Sequence, residues 1–170
     1  MRDLLRAAGV LRAAGVALAV LGSALPISAP ALAREAAAVG KPQSGLKVVP
    51  LTIETAAGRK FQYKVEVAAT SDQQATGMMF RTQMPPMTGM IFPMSPPRTA
   101  GFWMENTLIS LDIIFVGSDG RVRNVAAEAV PQSRAVLQSV GPVAAVLELK
   151  GGEAARIGLK PGDKVSWGSR

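Results

Sequence analysis

The chain contains no cysteine and no histidine, and its only tyrosine is Tyr63. Without cysteine it cannot form a disulfide, even in a compartment that permits one. The absence of both residues excludes thiolate nucleophiles, the commonest general base and nearly all zinc or redox-metal sites. Catalysis would have to depend on carboxylates, lysine, serine or Tyr63. We therefore lean against an enzyme and expect no cofactor.

Long apolar runs are also lacking. The run Ala13–Leu25 is shorter than the roughly 20 residues that cross a bilayer. Three arginines precede this run, and Ala31-Leu32-Ala33 follows it, which is the pattern of a secretory signal peptide. We predict cleavage after Ala33 and a periplasmic or secreted protein with no transmembrane span in its mature form. An uncleaved amino-terminal anchor is the alternative.

Removal of residues 1–33 leaves 137 residues, enough for one domain, and lowers the formal net charge from +7 to +5 because three arginines and one aspartate leave. Residues 34–47 are small, polar and interrupted by Gly and Pro, which predicts a flexible lead-in. The domain is expected to span residues 48–170. Its basic residues are scattered, so we predict a solvated basic surface and no nucleic-acid partner.

Local patterns predict short strands and two short helices. Apolar residues alternate with polar ones on both sides of the turn at Gly58, which predicts a hairpin. Thr70, followed three residues later by Gln73, predicts a helix that ends at Gly77. A strand at Gly89–Phe92 is expected to end at Pro93, because proline cannot donate to a central ladder.

The remaining patterns predict further strands at Thr99–Met104, Leu111–Val116, Arg121–Glu128, Val143–Leu149 and Lys164–Trp167, and a helical turn at Gly152–Ile157. Short strands at this turn spacing are typical of barrels and sandwiches. We predict one mainly-β domain: a single small closed or partly open β-barrel of about eight short strands with two short helices.

Five motifs occur in order: Gly77–Arg81 (GMMFR), Gly89–Phe92 (GMIF), Phe102–Thr107 (FWMENT), Leu111–Phe115 (LDIIF) and Val146–Leu149 (VLEL). With these motifs the chain resembles the uncharacterised bacterial and archaeal family called domain of unknown function 192, from about Val48 to Trp167. The resemblance implies a single compact β-barrel-like domain that is often exported. It implies no known activity and no established catalytic residues.

Asp112 lies within the apolar run LDIIF, where an unpaired carboxylate would be strongly penalised. In a functional interpretation it lines a ligand pocket with Trp103, Met104, Asn106 and Arg81, suited to a small polar or sugar-like ligand. In the structural interpretation, which we favour, Asp112 caps the backbone of the loop after Met104 or pairs with Arg81.

Seven of the eight methionines fall within residues 78–104. Thioethers are soft ligands, so Met78, Met79, Met90 and Met104 are candidates for binding Cu(I). Methionine also fills irregular gaps in apolar cores, and no His or Cys supports a metal site. We favour the core interpretation and predict no metal.

Two further alternatives remain open at the level of sequence. Glu148 could form a carboxylate pair with Asp112 for the hydrolysis of a glycan, although the separation that decides this is not readable from sequence. The segment Glu153–Val165 resembles the terminal part of a PDZ domain, which would bind peptides. The favoured hypothesis is a periplasmic ligand-binding or accessory module whose partner is a small polar ligand or an envelope component.

Overall fold

The computed structural model describes residues 40–168, and within them the chain is mainly β. The nine strands described are β1 (Val48–Glu54), β2 (Lys60–Val67), β3 (Thr88–Arg98), β4 (Gly101–Phe102), β5 (Leu111–Val116), β6 (Val122–Ala129), β7 (Leu137–Gln138), β8 (Val143–Lys150) and β9 (Lys164–Trp167). Two short helices accompany them, α1 (Ser71–Thr76) and α2 (Glu153–Ile157).

Seven strands form one sheet in the order β6-β5-β8-β3-β2-β1-β9, and β4 pairs with β7 in a separate two-stranded ribbon. All neighbours in the large sheet are antiparallel except β2 and β3. The parallel pair is possible because the chain passes through α1 and a loop before it returns to the sheet. The mainly-β prediction is confirmed.

The two edge strands of the sheet approach each other at one end. An isolated antiparallel bridge joins Arg121 to Lys164, and the Val165 amide donates to the Gly120 carbonyl at 2.7 Å. The sheet therefore curls, because its edges could not otherwise meet. No regular ladder closes it within residues 40–168, so a closed barrel is not confirmed, whereas a partly open one is compatible with this contact.

The sheet separates two apolar cores. The first contains residues from most of the strands together with Ile157 of α2, and the second contains Met90, Phe92 and Phe115. Side chains alternate along β5, so Ile113 and Phe115 face the second core while Ile114 and Val116 face the first. All six residues of β5 are buried, as expected for a strand covered on both faces.

Two predicted strands differ from the structure. The chain remains extended past Pro93 to Arg98 instead of ending at the first proline, although the register with β8 shifts between Pro93 and Arg98. Proline removes a ladder donor but is compatible with extended backbone, so pairing is disrupted while the strand continues. The strand expected at Thr99–Met104 is reduced to Gly101–Phe102, which pairs with only two residues of β7.

Helix α1 forms as predicted. The Thr70 hydroxyl accepts from the Gln73 amide at 3.2 Å, and the Gln73 side chain accepts from the Thr70 amide at 3.1 Å. This capping box satisfies amides that the first turn leaves unpaired. The helix ends at Gly77, whose positive φ of 47° suits a residue without a side chain.

The lead-in contacts the domain through the residues of it that are described. The Gln43 side-chain amide donates to the carbonyls of Gln73 at 3.0 Å and Gly77 at 2.8 Å, and Leu46 packs against the second core. The predicted signal peptide and the first part of the lead-in lie outside the described residues. Within residues 40–168, no helix is long and apolar enough to span a membrane.

Candidate functional site

A cavity of about 420 Å³ lies at the margin of the second core, where the end of α1, the end of β3 and β4 meet. Its size falls within the range of small-molecule sites. Its lining includes the side chains of Met78, Met79, Phe92, Met94, Phe102, Trp103 and Glu148.

One wall of the cavity is aromatic. The rings of Phe92 and Phe102 meet edge to face, with centroids 5.0 Å apart and an interplanar angle of 87°. Phe102 also meets Phe115 of the core edge to face at 6.3 Å, which anchors the wall to the sheet. Trp103 is 50% exposed, so it lies where the cavity meets solvent.

Glu148 supplies an acidic group to this cavity, whose other polar side chains include Gln74, Arg98 and Thr107. Glu148 is 4% exposed, and its Oε2 atom has no hydrogen-bond partner among the described residues. Burial raises the pKa of Glu148 to about 8, while the positive charge of Arg81 acts in the opposite direction. The carboxyl group is therefore largely protonated at neutral pH.

Strand register places Glu148 on the cavity side. Glu66, Met90 and Glu148 are Cα partners in one row across β2, β3 and β8, so their side chains lie on the same face. Met90 belongs to the second core, which identifies that face. The positions on either side of Glu148 in β8, Leu147 and Leu149, belong to the first core.

Arg81 is engaged by groups other than Glu148. One guanidinium nitrogen forms an ion pair with Glu66, and a second donates to the Gln43 carbonyl at 3.2 Å. Its Nε atom is buried and has no partner among the described residues. Arg81 also lines a separate, shallower depression rather than the cavity. The carboxyl group of Glu148 thus remains unpaired although a cation is near.

The contacts of Asp112 are hydrogen bonds from backbone amides, as the structural interpretation expects, but the partners differ from those predicted. Asp112 is fully buried and accepts from the backbone amides of Glu128 at 2.7 Å, Gly152 at 3.2 Å and Ala154 at 2.6 Å. These amides belong to β6 and to the start of α2, not to the loop after Met104. Arg81 is not among its partners.

The sheet keeps Asp112 and Glu148 apart. Asp112 is the Cα partner of Leu149, and Ile113 is the partner of Glu148. Because adjacent residues in a strand point to opposite faces, the two carboxyl groups lie on opposite sides of the sheet. Asp112 and Glu148 therefore do not have the paired-carboxylate geometry that a glycan hydrolase would need.

Of the five residues predicted to form the site, only Trp103 lines the cavity. Met104 is 1% exposed in the second core. Asn106 is exposed with a positive φ of 56°, and its amide approaches the Met79 sulfur at 3.9 Å. The site residues that sequence reasoning missed are chiefly Phe92 and Phe102. The sequence signal for Glu148 is an acid inside the apolar motif VLEL, and from the sequence we consider it only for a pair with Asp112.

Most of the clustered methionines are core residues. Met78, Met84, Met90, Met94 and Met104 are all buried in the second core. Among the four candidates for Cu(I), Met78 and Met79 line the cavity, whereas Met90 and Met104 do not. The structure therefore does not bring the four predicted sulfurs together at this cavity.

Together these features describe a small mainly-β domain with an aromatic-walled cavity that contains one buried acid. The chain belongs to the family of domain of unknown function 192 (DUF192, Uncharacterized ACR), whose model matches residues 52–167. The resemblance found in the sequence is thereby confirmed. The matched region includes residues 153–165, so the segment similar to a PDZ terminus is part of this domain.

Two solved structures are similar over most of the chain. A protein of unknown function from Novosphingobium aromaticivorans DSM 12444 is 54% identical, with a TM-score of 0.71, over 75% of this chain and 90% of that one. A "putative transcription regulator" from Sinorhizobium meliloti 1021 is 38% identical, with a TM-score of 0.71, over 74% of this chain and 97% of that one. No functionally curated protein matches the chain.

Proposed function

We propose that this protein is an exported ligand-binding module whose site is the cavity between Trp103 and Glu148. The observation that carries the proposal is that Glu148 lines a space of ligand size while its buried Oε2 atom has no partner among the described residues. A buried polar atom without a partner is costly, so such atoms are uncommon unless something else satisfies them. A bound ligand would supply the missing partner.

The composition of the cavity supports binding rather than reaction. Binding sites commonly combine apolar and aromatic walls with polar groups that orient the ligand, and this cavity has an aromatic wall and several polar side chains. The chain has no histidine or cysteine, and Asp112 and Glu148 point to opposite faces of the sheet. A nucleophile and base in hydrogen-bond contact would support an enzyme, and the cavity lining offers no such pair within the described residues.

A thermal-shift screen of the purified protein tests the proposal. The panel contains organic amines, amino acids, sugars, peptidoglycan fragments, peptides, Cu(I) and a DNA duplex, with Trp fluorescence as a second readout. We expect saturable stabilisation by one small-molecule class. The Cu(I) arm covers the methionines of the cavity, and the DNA arm is included because of the role named for the Sinorhizobium protein.

Two substitutions locate any binding that is found. Trp103→Ala removes a half-exposed wall of the cavity, whereas Leu108→Ala removes another exposed apolar side chain that does not line it. We expect Trp103→Ala to weaken binding at least tenfold and Leu108→Ala to leave it unchanged. Binding that tolerates Trp103→Ala, or stabilisation by DNA alone, would contradict the proposal.

A further inference from the structure

We infer that the cavity binds a small organic cation, whose ammonium group contacts the carboxyl group of Glu148 and whose apolar body packs against Phe102 and Trp103. This inference rests on the proposed function, because it names the ligand class of the same site. The occupant is defined by its chemistry: one ammonium group on a compact apolar or aromatic skeleton.

The first argument is the unmet hydrogen-bonding capacity of Glu148. Its Oε2 atom is buried without a partner among the described residues, and the residue lines the cavity together with Phe92, Met78 and Met94, none of which donates a strong hydrogen bond. Thr107 is also buried in the lining, but its hydroxyl group donates to the Glu105 carbonyl. An ammonium group carries three N–H donors and a charge opposite to that of the carboxylate. Among common ligand groups it therefore satisfies this atom most completely.

The second argument is the aromatic wall. Aromatic faces carry partial negative charge, so they attract cations placed within about 6 Å of the ring centroid, and tryptophan does so most strongly. Trp103 is half exposed at the cavity and Phe102 lies beside it in sequence and in the lining. Methionine sulfur is polarisable, which suits the same ligand. The aromatic wall and Glu148 thus both favour a positively charged ligand.

The third argument is the charge of the surroundings. Arg81 faces Glu148 from the loop after α1, but it is ion-paired with Glu66 of β2. Among residues 40–168, Arg98 of β3 is the only basic residue that lines the cavity, and it is exposed to solvent. At pH 8 and above, where at least about half of the Glu148 carboxyl group is ionised, an anionic ligand would be repelled by it.

Binding of the cation should be coupled to release of a proton from Glu148. Burial raises the pKa of Glu148 to about 8, so at pH 7 roughly nine-tenths of the free protein carries a neutral carboxyl group. A cation prefers the ionised form, so its binding releases that proton. The dissociation constant should therefore rise by about tenfold for each pH unit below 8 and level off above 8.

Three matched probes test the ligand class. They are 2-phenylethylammonium, 2-phenylethanol and 3-phenylpropionate, which share a phenyl ring and differ in charge. Titration at pH 8 is followed by NMR through the backbone amides of Gly77 and Gly101, both of which line the cavity. We expect the cation to bind at least tenfold more tightly than the alcohol and the carboxylate to bind most weakly.

Variants and pH then test the role of Glu148. Glu148→Gln removes the charge at nearly constant side-chain size. It should weaken cation binding at pH 8 by at least tenfold and abolish the pH dependence of cation affinity between pH 6 and 8. The affinity for the alcohol should not change. Glu105→Gln is the matched control, because Glu105 is in the same loop as Trp103 but pairs with Arg134 and does not line the cavity. Glu105→Gln should leave the affinity for each probe and its pH dependence unchanged.

The possible failures are distinguishable. The inferred ligand class is wrong if the alcohol binds as tightly as the cation, or if the cation's affinity is constant from pH 6 to 8. In either case, binding that Trp103→Ala weakens would still support the proposed function. If no probe and no panel member binds, both fail. Nα-acetyl-lysine amide serves as a further probe, because it presents an ammonium group as a lysine side chain of a polypeptide does. If it binds more tightly than 2-phenylethylammonium, the inference that the ligand is a small organic cation is overturned.

Discussion

Two acidic residues in neighbouring strands show how local contacts decide the role of a carboxyl group. Asp112 and Glu148 both occur within apolar runs and both are buried. Asp112 accepts three backbone amides, whereas the Oε2 atom of Glu148 accepts none among the described residues. Donors aimed at a carboxylate compensate for lost hydration, and only Asp112 receives them. Asp112 is consequently a structural residue and Glu148 a candidate for binding.

The raised pKa of Glu148 predicts a pH dependence of stability. In the folded state the carboxyl group binds its proton up to about pH 8, whereas in the unfolded chain it loses that proton near its ordinary value of 4.5. Between these values the folded state binds more protons, so stability falls as pH rises, by at most about 1.4 kcal/mol per pH unit from this group. Urea unfolding from pH 5 to 9 measures the effect.

Glu148→Gln isolates this contribution, because it leaves the other carboxyl groups in place. Those groups include Glu153, whose pKa is lowered mainly by its hydrogen bond from Arg156 and which contributes with the opposite sign at more acidic pH. The free energy of unfolding of the variant relative to the wild type should rise between pH 5 and 8. If the free energy of unfolding depends on pH in the same way in both proteins, the pKa of Glu148 is not raised.

At the scale of elements, α2 depends on tertiary contacts. It has only five residues, too few to persist as an isolated helix, and the residue before it has no side-chain cap. Asp112 of β5 instead accepts the amides of Gly152 and Ala154 at the start of the helix, and Tyr63 of β2 donates to Glu153 at 2.6 Å. Neighbouring strands therefore supply the cap that the local sequence lacks.

Asp112→Ala should lower the free energy of unfolding by about 3 kcal/mol, because each buried donor left without a partner costs roughly 1–3 kcal/mol and relaxation recovers part of the loss. The amides of Gly152 and Ala154 should also exchange faster with solvent. Urea unfolding and amide hydrogen exchange measure both effects.

Asp119→Ala is the control for Asp112→Ala, since Asp119 accepts a backbone amide at an exposed turn and should matter much less. Wild-type stability for Asp112→Ala, together with altered ligand binding, would instead assign Asp112 to the site.

At the scale of the whole molecule, the sheet has an apolar core on each face, and the cavity belongs to only one of them. The first core is enclosed by the curled sheet and α2. The second core is covered by α1, the methionine-rich loop and the β4–β7 ribbon. Short and irregular covering segments fill space less completely than a second regular layer would, so the ligand-sized space lies there.

Export is the prediction that concerns the entire chain. The expected mature protein begins at Arg34, because signal peptidase requires small residues at the positions that Ala31 and Ala33 occupy. Intact-mass measurement of the envelope fraction should give residues 34–170. Substitution of Ala33 by a bulky residue should block this processing, and a wild-type mass that retains Met1–Ala33 would instead establish an uncleaved anchor.

The sequence by itself determined those features that depend on neighbours along the chain. The capping box of Thr70 and Gln73, the alternation in β1 and β2 and the apolar run of β5 are all local patterns, and each produced the expected element. The five ordered motifs were sufficient to indicate the family. Among the site residues, Trp103 could be identified because it occurs beside polar residues that follow a predicted strand, in the motif FWMENT.

Only the tertiary structure decided which of these residues meet. Asp112 and Glu148 are 36 positions apart, and a shift of one residue in the register between β5 and β8 would change which of their side chains face each other. That register depends on packing across both cores, and the same is true of the donors that reach Asp112 from β6 and α2. The cavity arises where distant segments cover the sheet incompletely, and no local pattern encodes such a space.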